Sequence, residues 1–291
     1  MSDPRERKSS VYLPTVGSDF DFPRRPPGTS PSHKLVFATL PRSGSHFICQ
    51  KFFTSGRAGL PLEYFNPAHW NRWRVRVAAE AAGQSASDAS YLGEWATLAD
   101  TETPRASTAH TLDALVRRRT GPNGCFSVKM HYSNVAHLRT IVSDAWLREA
   151  HWVRIDRLDI IAQAVSLEIA VQTGSWIFTQ KVWRQPTYDY TALRRRLIRL
   201  LRERHSWSRF FREHGITPHI LCYEHFATDP AGHVAAILDK VGLRESALPP
   251  DVKLPHIPDI QSQSSTVNAL WSERLADDLG READKLSALA S

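Results

Sequence analysis

Short runs of consecutive apolar residues alternate along the chain with longer segments in which apolar residues recur every three to four positions. The first run, Leu35 to Leu40, ends at Pro41 and predicts a fully buried strand. Three later runs of the same kind predict three more strands, at 126–130, 151–155 and 218–223. Helical spacing is found at 47–53, 159–172 and 231–241. This alternation predicts an α/β fold, in which helices flank a mostly parallel sheet in three layers.

The regions outside this alternation define the expected domain organisation. Residues 1–33 carry six prolines among Ser, Arg and Gly, so we expect a disordered or extended N-terminal tail. Residues 34–291 then form one domain. Within that domain, 67–120 has an irregular helical character and includes three tryptophans, so it predicts a helical insertion.

The formal net charge of +7 is concentrated in one segment. Residues 189–212 form a predicted helix with an apolar stripe, and they contain eight arginines against two acidic residues, Asp189 and Glu203. Such a helix is consistent with a module that binds a nucleic-acid backbone, with a solvated face, or with a surface that steers an anionic ligand into a cleft. No homeodomain, zinc-finger or RNA-recognition signature accompanies it, so nucleic acid is not the expected partner.

Cysteine use and the lack of long apolar stretches set the expected location. Cys49, Cys125 and Cys222 cannot all pair, and none lies in a C-x-x-C motif, which favours reduced thiols and a cytoplasmic protein. Residues 1–34 contain no apolar leader, and no stretch approaches the roughly 18 apolar residues of a spanning helix. We therefore expect at most peripheral contact with a membrane.

A polar loop, Pro41 to His46, joins the first predicted strand to the first predicted helix. Unpaired N–H groups and the dipole at a helix start favour an anion, Gly44 permits close approach, and Ser43 and Ser45 add hydroxyl donors. The succession of strand, loop and helix predicts a P-loop-like nucleotide-binding domain. A simple strand-to-helix turn with serine as the cap explains the same six residues, and the loop alone leaves both interpretations open.

The loop does not have the Walker A pattern G-x-x-x-x-G-K-[ST]. It has one glycine, and its basic residue, Arg42, precedes that glycine. This disfavours, without excluding, a P-loop-like phosphotransferase that uses ATP and Mg²⁺. A sulfuryl group suits the loop better because its terminal SO₃ carries a single negative charge and needs less cation chemistry. No cluster of metal ligands with useful spacing is present, so we expect no metal.

Several ordered motifs resemble the Stf0 family, the trehalose sulfotransferase type. The match begins with LPRSGS at 40–45 and GRAGLPLEYF at 56–65. It extends over most of 34–243 with RLD at 157–159, QAVSL at 163–167, AVQTGSW at 170–176, YE at 223–224 and LDKVGL at 238–243. The resemblance implies sulfuryl transfer from the co-substrate 3′-phosphoadenosine 5′-phosphosulfate (PAPS) to a hydroxyl of a carbohydrate or glycolipid. The insertion at 67–120 would be a lid or would lie on the acceptor side, and the resemblance allows a homodimer by analogy.

The resemblance assigns the donor site to two groups of residues. The loop would bind the 5′-phosphosulfate through Arg42, Ser43, Gly44, Ser45, His46 and Phe47. Arg157 and Ser166 match the family's arginine and serine for the 3′-phosphate, because a guanidinium fork and a hydroxyl suit phosphate oxygens. The alternatives are an ion pair of Arg157 with Asp156 or Asp159 and a bond from Ser166 to its own helical turn. We expect Asp159 to begin the following helix.

Three further positions bear on this site. His46 stands where the family usually has threonine, so it would donate from its ring or simply pack. The stretch 261–270, before Trp271, lacks the basic residue that relatives tend to carry, which leaves a third contact to the 3′-phosphate open. Trp176 would be a platform for adenine or a sugar, or else a core residue.

The resemblance also assigns catalytic roles. Glu63 matches the family's general base, and its aromatic neighbours are expected to desolvate it and raise its pKa. Arg42 would stabilise the charge that develops on the bridging oxygen. Lys129 would stabilise the transferring sulfuryl group or orient the acceptor, and the alternative is a salt-bridged structural lysine. His46 and His131 are competing bases because histidine titrates near neutral pH.

Overall fold

A four-stranded parallel sheet in the order β2-β1-β3-β4 forms the centre of the fold. The computed structural model describes residues 16–17, 20–23, 25–83, 104–176, 182, 184–243 and 265–290, with only the backbone of 285–290. The strands are β1 (His33–Thr39), β2 (Cys125–His131), β3 (His151–Asp156) and β4 (His219–Cys222). Each apolar run of the sequence coincides with one of these strands, so the predicted α/β sheet is confirmed.

Helices flank the sheet and supply the two outer layers. In the part of the chain that the structure describes, they are α1 (Ser45–Thr54), α2 (Pro67–Ala81), α3 (Thr108–Arg119), α4 (Val135–Leu138), α5 (Asp144–Glu149), α6 (Ile160–Thr173), α7 (Tyr190–Glu213), α8 (Tyr223–Thr228), α9 (Pro230–Lys240) and α10 (Thr266–Ala290). The helices predicted from spacing correspond to α1, α6 and α9. Among these described helices, none combines the length and the apolar character needed to cross a membrane.

Polar side chains fix the start of six described helices, among them α2, α6 and α7. The Oδ1 atoms of Asn66, Asp159 and Asp189 accept hydrogen bonds of 3.0, 2.8 and 3.0 Å from first-turn N–H groups of α2, α6 and α7. These bonds satisfy donors that a helix start otherwise leaves without a partner. The prediction that Asp159 begins a helix is confirmed.

The side chains of β1 alternate between two apolar cores, one on each face of the sheet. Val36 and Ala38 belong to one core, and Leu35 and Phe37 belong to the other. All four side chains are buried. An unbroken apolar run is therefore the sequence pattern of a strand that helices cover on both faces.

The insertion and the N-terminal tail both contribute to the larger core. Trp70 and Trp73 on α2 are buried, and α2 packs against α3. Val16 and Phe22, from the predicted tail, are buried in the same core. Residues 1–15 of that tail and residues 84–103 of the insertion lie outside the described residues.

The basic helix at 189–212 is confirmed as α7, and carboxylates balance much of its charge. It packs against α6 and α10. Five of its arginines form ion pairs with N···O distances of 2.7 to 3.8 Å, namely Arg194–Glu282, Arg196–Glu168, Arg199–Glu203, Arg204–Asp156 and Arg209–Glu213. The helix therefore acts in the fold through internal ion pairs as well as through its apolar stripe.

We expect Trp207→Ala to lower the free energy of unfolding by about 3–5 kcal/mol, because it opens a cavity in the larger core. Trp207 is 1% exposed, and its Nε1 donates to the Thr39 carbonyl at the end of β1 (3.0 Å). Leu201→Ala, on the same helix but 47% exposed, is the control and should change the free energy by about 0.5 kcal/mol or less. Urea unfolding measures both, and equal losses would contradict this account of the core.

Candidate active site

The carboxyl ends of three adjacent strands bring the candidate residues together. The loop Pro41–His46 follows β1, Lys129 lies near the end of β2, and Arg157 follows β3 directly. Parallel strands end at the same edge of a sheet, which is where open α/β sheets bind ligands. The structure thus places both predicted halves of the site at one edge.

The loop after β1 has a special backbone conformation. Arg42 and Gly44 have positive φ angles of 60° and 77°. A Cβ atom at Gly44 would lie 2.1 Å from the Tyr223 ring, so glycine is required there on two grounds. Helix α1 begins after Gly44 without a serine cap, and the Ser43 hydroxyl is buried without a hydrogen-bond partner among the residues that the structure describes. The interpretation of the loop as a serine-capped turn is therefore wrong.

Arg42 connects the loop to the two residues assigned to the second anion site. Its Nε donates to Ser166 Oγ (2.9 Å), its Nη1 donates to the Trp176 carbonyl (2.5 Å), and its own carbonyl accepts from Arg157 Nη1 (3.2 Å). Burial and the charge of Arg157 lower the pKa of Arg42 to about 10. Two neighbouring guanidinium groups at a strand end give this half of the site a positive potential that suits an anion.

The structure differs from both alternatives given for the second anion site, which were an ion pair of Arg157 with a neighbouring aspartate and a bond from Ser166 to its own helical turn. Arg157 faces Glu224, with Nε 3.8 Å from Oε1, and its guanidinium lies 5.6 Å from the centre of the Tyr223 ring. Ser166 bonds to Arg42 rather than to its own turn. Trp176 is 43% exposed, so its alternative role as a core residue is wrong. Tyr223 and Glu224 were matched to the family by sequence, but only the fold shows that they contact the loop and Arg157.

The segment that carries Glu63 lies along the free edge of β2. Leu62 bridges Val128 in parallel fashion, and the Leu62 carbonyl accepts from Lys129 N (3.0 Å). At Gly59, φ is 62° and a Cβ atom would lie 2.6 Å from the Cys125 carbonyl, so the close approach depends on glycine. This backbone pairing holds the Glu63 side chain beside β2.

Glu63 forms an ion pair with Lys129, and this pair corrects the expected pKa. Glu63 Oε1 lies 2.8 Å from Lys129 Nζ and 3.6 Å from His131 Nε2. Burial by itself raises the pKa of Glu63, as the sequence suggested, but the positive charge of Lys129 and the neighbouring His131 outweigh burial. The pKa therefore lies well below its usual range, and the expectation of a raised pKa is wrong. The alternative for Lys129 was a salt-bridged lysine. Lys129 does form a salt bridge, and its partner is Glu63, the candidate base.

Both candidate histidines contact this pair and are neutral near pH 7. His46 Nε2 lies 3.1 Å from Lys129 Nζ, so the ammonium donates and the imidazole accepts. Burial and the charge of Lys129 hold the pKa of His46 well below its usual value. Burial likewise lowers the pKa of His131, whose Nδ1 lies 2.8 Å from Thr39 Oγ1. His46 is therefore more than a packing residue in the place of threonine. Its ring accepts a hydrogen bond from Lys129 and helps to hold that side chain.

This combination of a phosphate-type loop, paired arginines and a carboxylate–ammonium pair is what a group-transfer site requires. The chain matches the Stf0 sulphotransferase family over residues 34–278 and belongs to it, so the predicted family is confirmed. It is therefore a sulfotransferase.

The comparisons with known proteins found two similar chains among others. Trehalose 2-sulfotransferase from Mycobacterium tuberculosis is 27% identical over 263 residues, which cover 82% of this chain and 92% of that enzyme. The solved sulfotransferase domain of the Synechococcus PCC 7002 olefin synthase aligns with 88% of this chain and 98% of its own length, at 11% identity and a TM-score of 0.39.

We expect Glu63→Gln to destabilise the protein by about 3–5 kcal/mol near neutral pH, because it leaves the Lys129 ammonium buried without its counter-charge. The folded-state pKa of Glu63 is lowered, so its stabilisation is complete above the unfolded value of about 4.3 and is lost as the pH falls below it. The difference between wild type and variant should therefore shrink by about pH 3. Urea unfolding at both pH values measures it.

Glu149→Gln is the control for this experiment. Glu149 also pairs with a lysine, Lys34, at 2.5 Å, but its side chain is 63% exposed. Its removal should change stability little at either pH. A Glu63→Gln protein that is as stable as the Glu149→Gln protein near neutral pH would contradict the proposed dependence of Lys129 on Glu63.

Proposed function

We propose that this chain transfers a sulfuryl group from PAPS to a hydroxyl of a carbohydrate or glycolipid acceptor. The observation that carries the proposal is the Glu63–Lys129 pair at the same sheet edge as the loop 41–46. A carboxylate that accepts a proton and a cation that balances transferred charge are the groups that such a reaction needs. Trehalose, named for the mycobacterial relative, is the first acceptor to test.

Three features of the donor half fit an anionic nucleotide. Among the described residues, the Ser43 hydroxyl is buried without a hydrogen-bond partner and α1 begins without a side-chain cap. The Arg157 guanidinium donates to the Arg42 carbonyl, and the two positive charges are close enough to interact. The loop residues 42–47 would hold the 5′-phosphosulfate, and Arg157 and Ser166 would hold the 3′-phosphate. PAPS supplies an activated sulfuryl group on a phosphate leaving group. Arg42 would stabilise the negative charge that appears on the bridging oxygen.

Glu63 would act on the acceptor. The acceptor oxygen forms a new bond to sulfur, its proton passes to the Glu63 carboxylate, and the electron pair of the breaking S–O bond leaves with adenosine 3′,5′-bisphosphate. The carboxylate is ionised in the free enzyme because Lys129 holds its pKa low. It is therefore always in the state that can accept a proton, although the ion pair makes it a weak base.

Lys129 would control the strength of that base. When its ammonium turns toward the negative charge of the sulfuryl group, Glu63 loses the partner that lowers its pKa, and burial then raises the pKa. His46 Nε2, 3.1 Å from the ammonium, offers Lys129 a second acceptor during this exchange. The base thus becomes strong only when a group to be transferred is present.

The acceptor would approach from the side of α2. The first turn of α2 follows the Glu63 segment directly, and His69 Nδ1 on that turn lies 2.9 Å from the Glu63 carbonyl. We therefore assign acceptor choice to the insertion at 67–120.

We expect PAPS or adenosine 3′,5′-bisphosphate to raise the melting temperature, and Arg157→Ala to weaken binding of the bisphosphate about 10- to 100-fold. The loss of one charged hydrogen bond costs about 1.5–3 kcal/mol. Isothermal titration of the folded variant measures the change. Arg154→Ala is the control, because Arg154 lies on β3, close to Arg157 in the sequence, but pairs with Asp156 and Ser208 instead. A melt that responds to ATP and not to either nucleotide, or equal effects of the two variants, would contradict the donor assignment.

We expect Glu63→Gln to lower kcat about 10²- to 10⁴-fold, because an amide cannot accept the proton. Transfer of labelled sulfate from PAPS to trehalose, and then to carbohydrates and glycolipids of an extract, measures turnover and identifies the acceptor. The assay is run at a temperature where the variant is folded, and donor affinity should be retained. Glu149→Gln serves again as the control. A folded Glu63→Gln enzyme within a few-fold of wild type would move the base role to His131.

A further inference from the structure

A second buried charge cluster lies behind the acceptor half of the site. Arg76 on α2 and Arg118 and Arg119 on α3 face two carboxylates, Asp21 and Glu80. The side chains of Arg76 and Arg119 are completely buried, and that of Asp21 is 18% exposed. Burial of arginine at this depth requires counter-charge and hydrogen bonds.

Asp21 belongs to a short segment, here called the N-terminal strap, made of residues 16–17 and 20–23. The strap precedes residue 34, where the match to the family begins. Its carbonyls at Val16 and Gly17 accept hydrogen bonds of 2.7 Å from Arg76 Nη1 and Arg119 Nη2 respectively. The strap therefore supplies backbone acceptors as well as a carboxylate to the buried arginines.

Asp21 pairs with more than one of these arginines. Its two carboxylate oxygens accept from both terminal nitrogens of Arg76, and its Oδ1 lies 3.5 Å from Arg119 Nη2. Arg118 Nε lies 3.8 Å from Oδ2. Asp21 thus joins α2 to α3 through charge.

The same cluster contacts the segment that carries the candidate base. The Arg119 guanidinium lies 5.9 Å from the centre of the Tyr64 ring and 5.2 Å from that of Trp73. The Tyr64 ring also packs against Trp73 and Phe126, and its hydroxyl donates to the Leu60 carbonyl (2.8 Å). Tyr64 therefore anchors the short segment in which Glu63 lies, through the contacts of its ring and the hydrogen bond of its hydroxyl.

We propose that Asp21 is a positioning residue for the Glu63 carboxylate and that it acts through Arg119 and Tyr64. The proposal rests on the role of Glu63 given above. Without the Asp21 carboxylate, the buried Arg119 guanidinium loses a counter-charge. It is then better solvated when it turns toward water, which moves it away from the Tyr64 ring. The segment 60–64 then loses a contact on its inner side, and Glu63 loses its fixed distance to Lys129.

The test begins with Asp21→Asn in the full-length protein. We expect kcat with trehalose to fall about ten- to hundredfold, because a small displacement of a catalytic group has effects of that size. The KM for trehalose should rise, while the Kd for adenosine 3′,5′-bisphosphate stays the same. Hydrogen exchange should become faster in peptides that cover 60–66 and remain unchanged in α6. A role confined to global stability would leave kcat per folded enzyme and both affinities unchanged, and would speed exchange in both regions.

Two further variants complete the test. Glu149→Gln removes a carboxylate outside this cluster, the exposed partner of Lys34, and should leave kcat unchanged. Arg119→Met removes the buried charge itself, so adding Asp21→Asn to it should lower kcat no further. The comparison of Arg119→Met with the double variant also tests the proposal if the single Asp21→Asn protein does not fold. An additional loss in the double variant, or an equal loss in Glu149→Gln, would overturn the proposal.

The exchange measurement separates this proposal from the proposed function. It needs neither donor nor acceptor, so it reports on the position of the 60–66 segment even if trehalose is not sulfated. Faster exchange in that segment, together with no transfer to any acceptor, would support the link from Asp21 to Tyr64 and reject the reaction. Unchanged exchange in an active enzyme would reject the link and leave the reaction intact.

Discussion

The ammonium of Lys129 is buried at the end of β2, with 2% of its side chain exposed, and the arrangement of the site depends on neutralising it. An isolated charge at such a depth costs several kcal/mol, so a counter-charge must come from elsewhere in the chain. Glu63 supplies it, which requires the segment 60–64 to lie against β2, and that approach in turn requires glycine at position 59. His46 supplies an acceptor to the same ammonium, and it stays neutral because burial and the charge of Lys129 lower its pKa.

In the reaction proposed above, this constraint would couple proton abstraction to sulfuryl transfer. A carboxylate paired with an ammonium is ionised but weakly basic, whereas the same carboxylate without its partner is a strong base in a buried site. The charge of Lys129 can serve either Glu63 or an anion beside the loop 41–46, but it balances only one of them fully. The proposed movement of the Lys129 ammonium from Glu63 to the donor therefore strengthens the base only when the donor is bound. In such an arrangement, proton abstraction and sulfuryl transfer follow from one movement of a single side chain.

The sequence was sufficient for the parts of the molecule that depend on local pattern. The apolar run Leu35–Leu40 predicted β1 because a strand covered on both faces buries every side chain. Asp159 predicted the start of a helix because its capping hydrogen bond goes to an N–H group three residues further along the chain. The pKa of Glu63 could not be predicted in the same way. Its direction depends on which charge lies nearest, and that charge, on Lys129, is distant in sequence and is brought close by strand pairing. For the same reason, no local pattern pointed to the contact of Asp21 with Arg119.

The two halves of the site are thus held by different physical means. The donor half is fixed by backbone conformation, through the positive φ angles of Arg42 and Gly44 and the Tyr223 ring packed against that glycine. A short motif can specify such a loop. The Glu63 segment is fixed by buried charges and by the aromatic ring of Tyr64, whose partners Trp73, Arg119 and Phe126 lie on α2, α3 and β2. On the roles proposed above, changes in α2, α3 or the N-terminal strap would shift Glu63 without disturbing the loop, so acceptor choice would change while the donor site keeps its form.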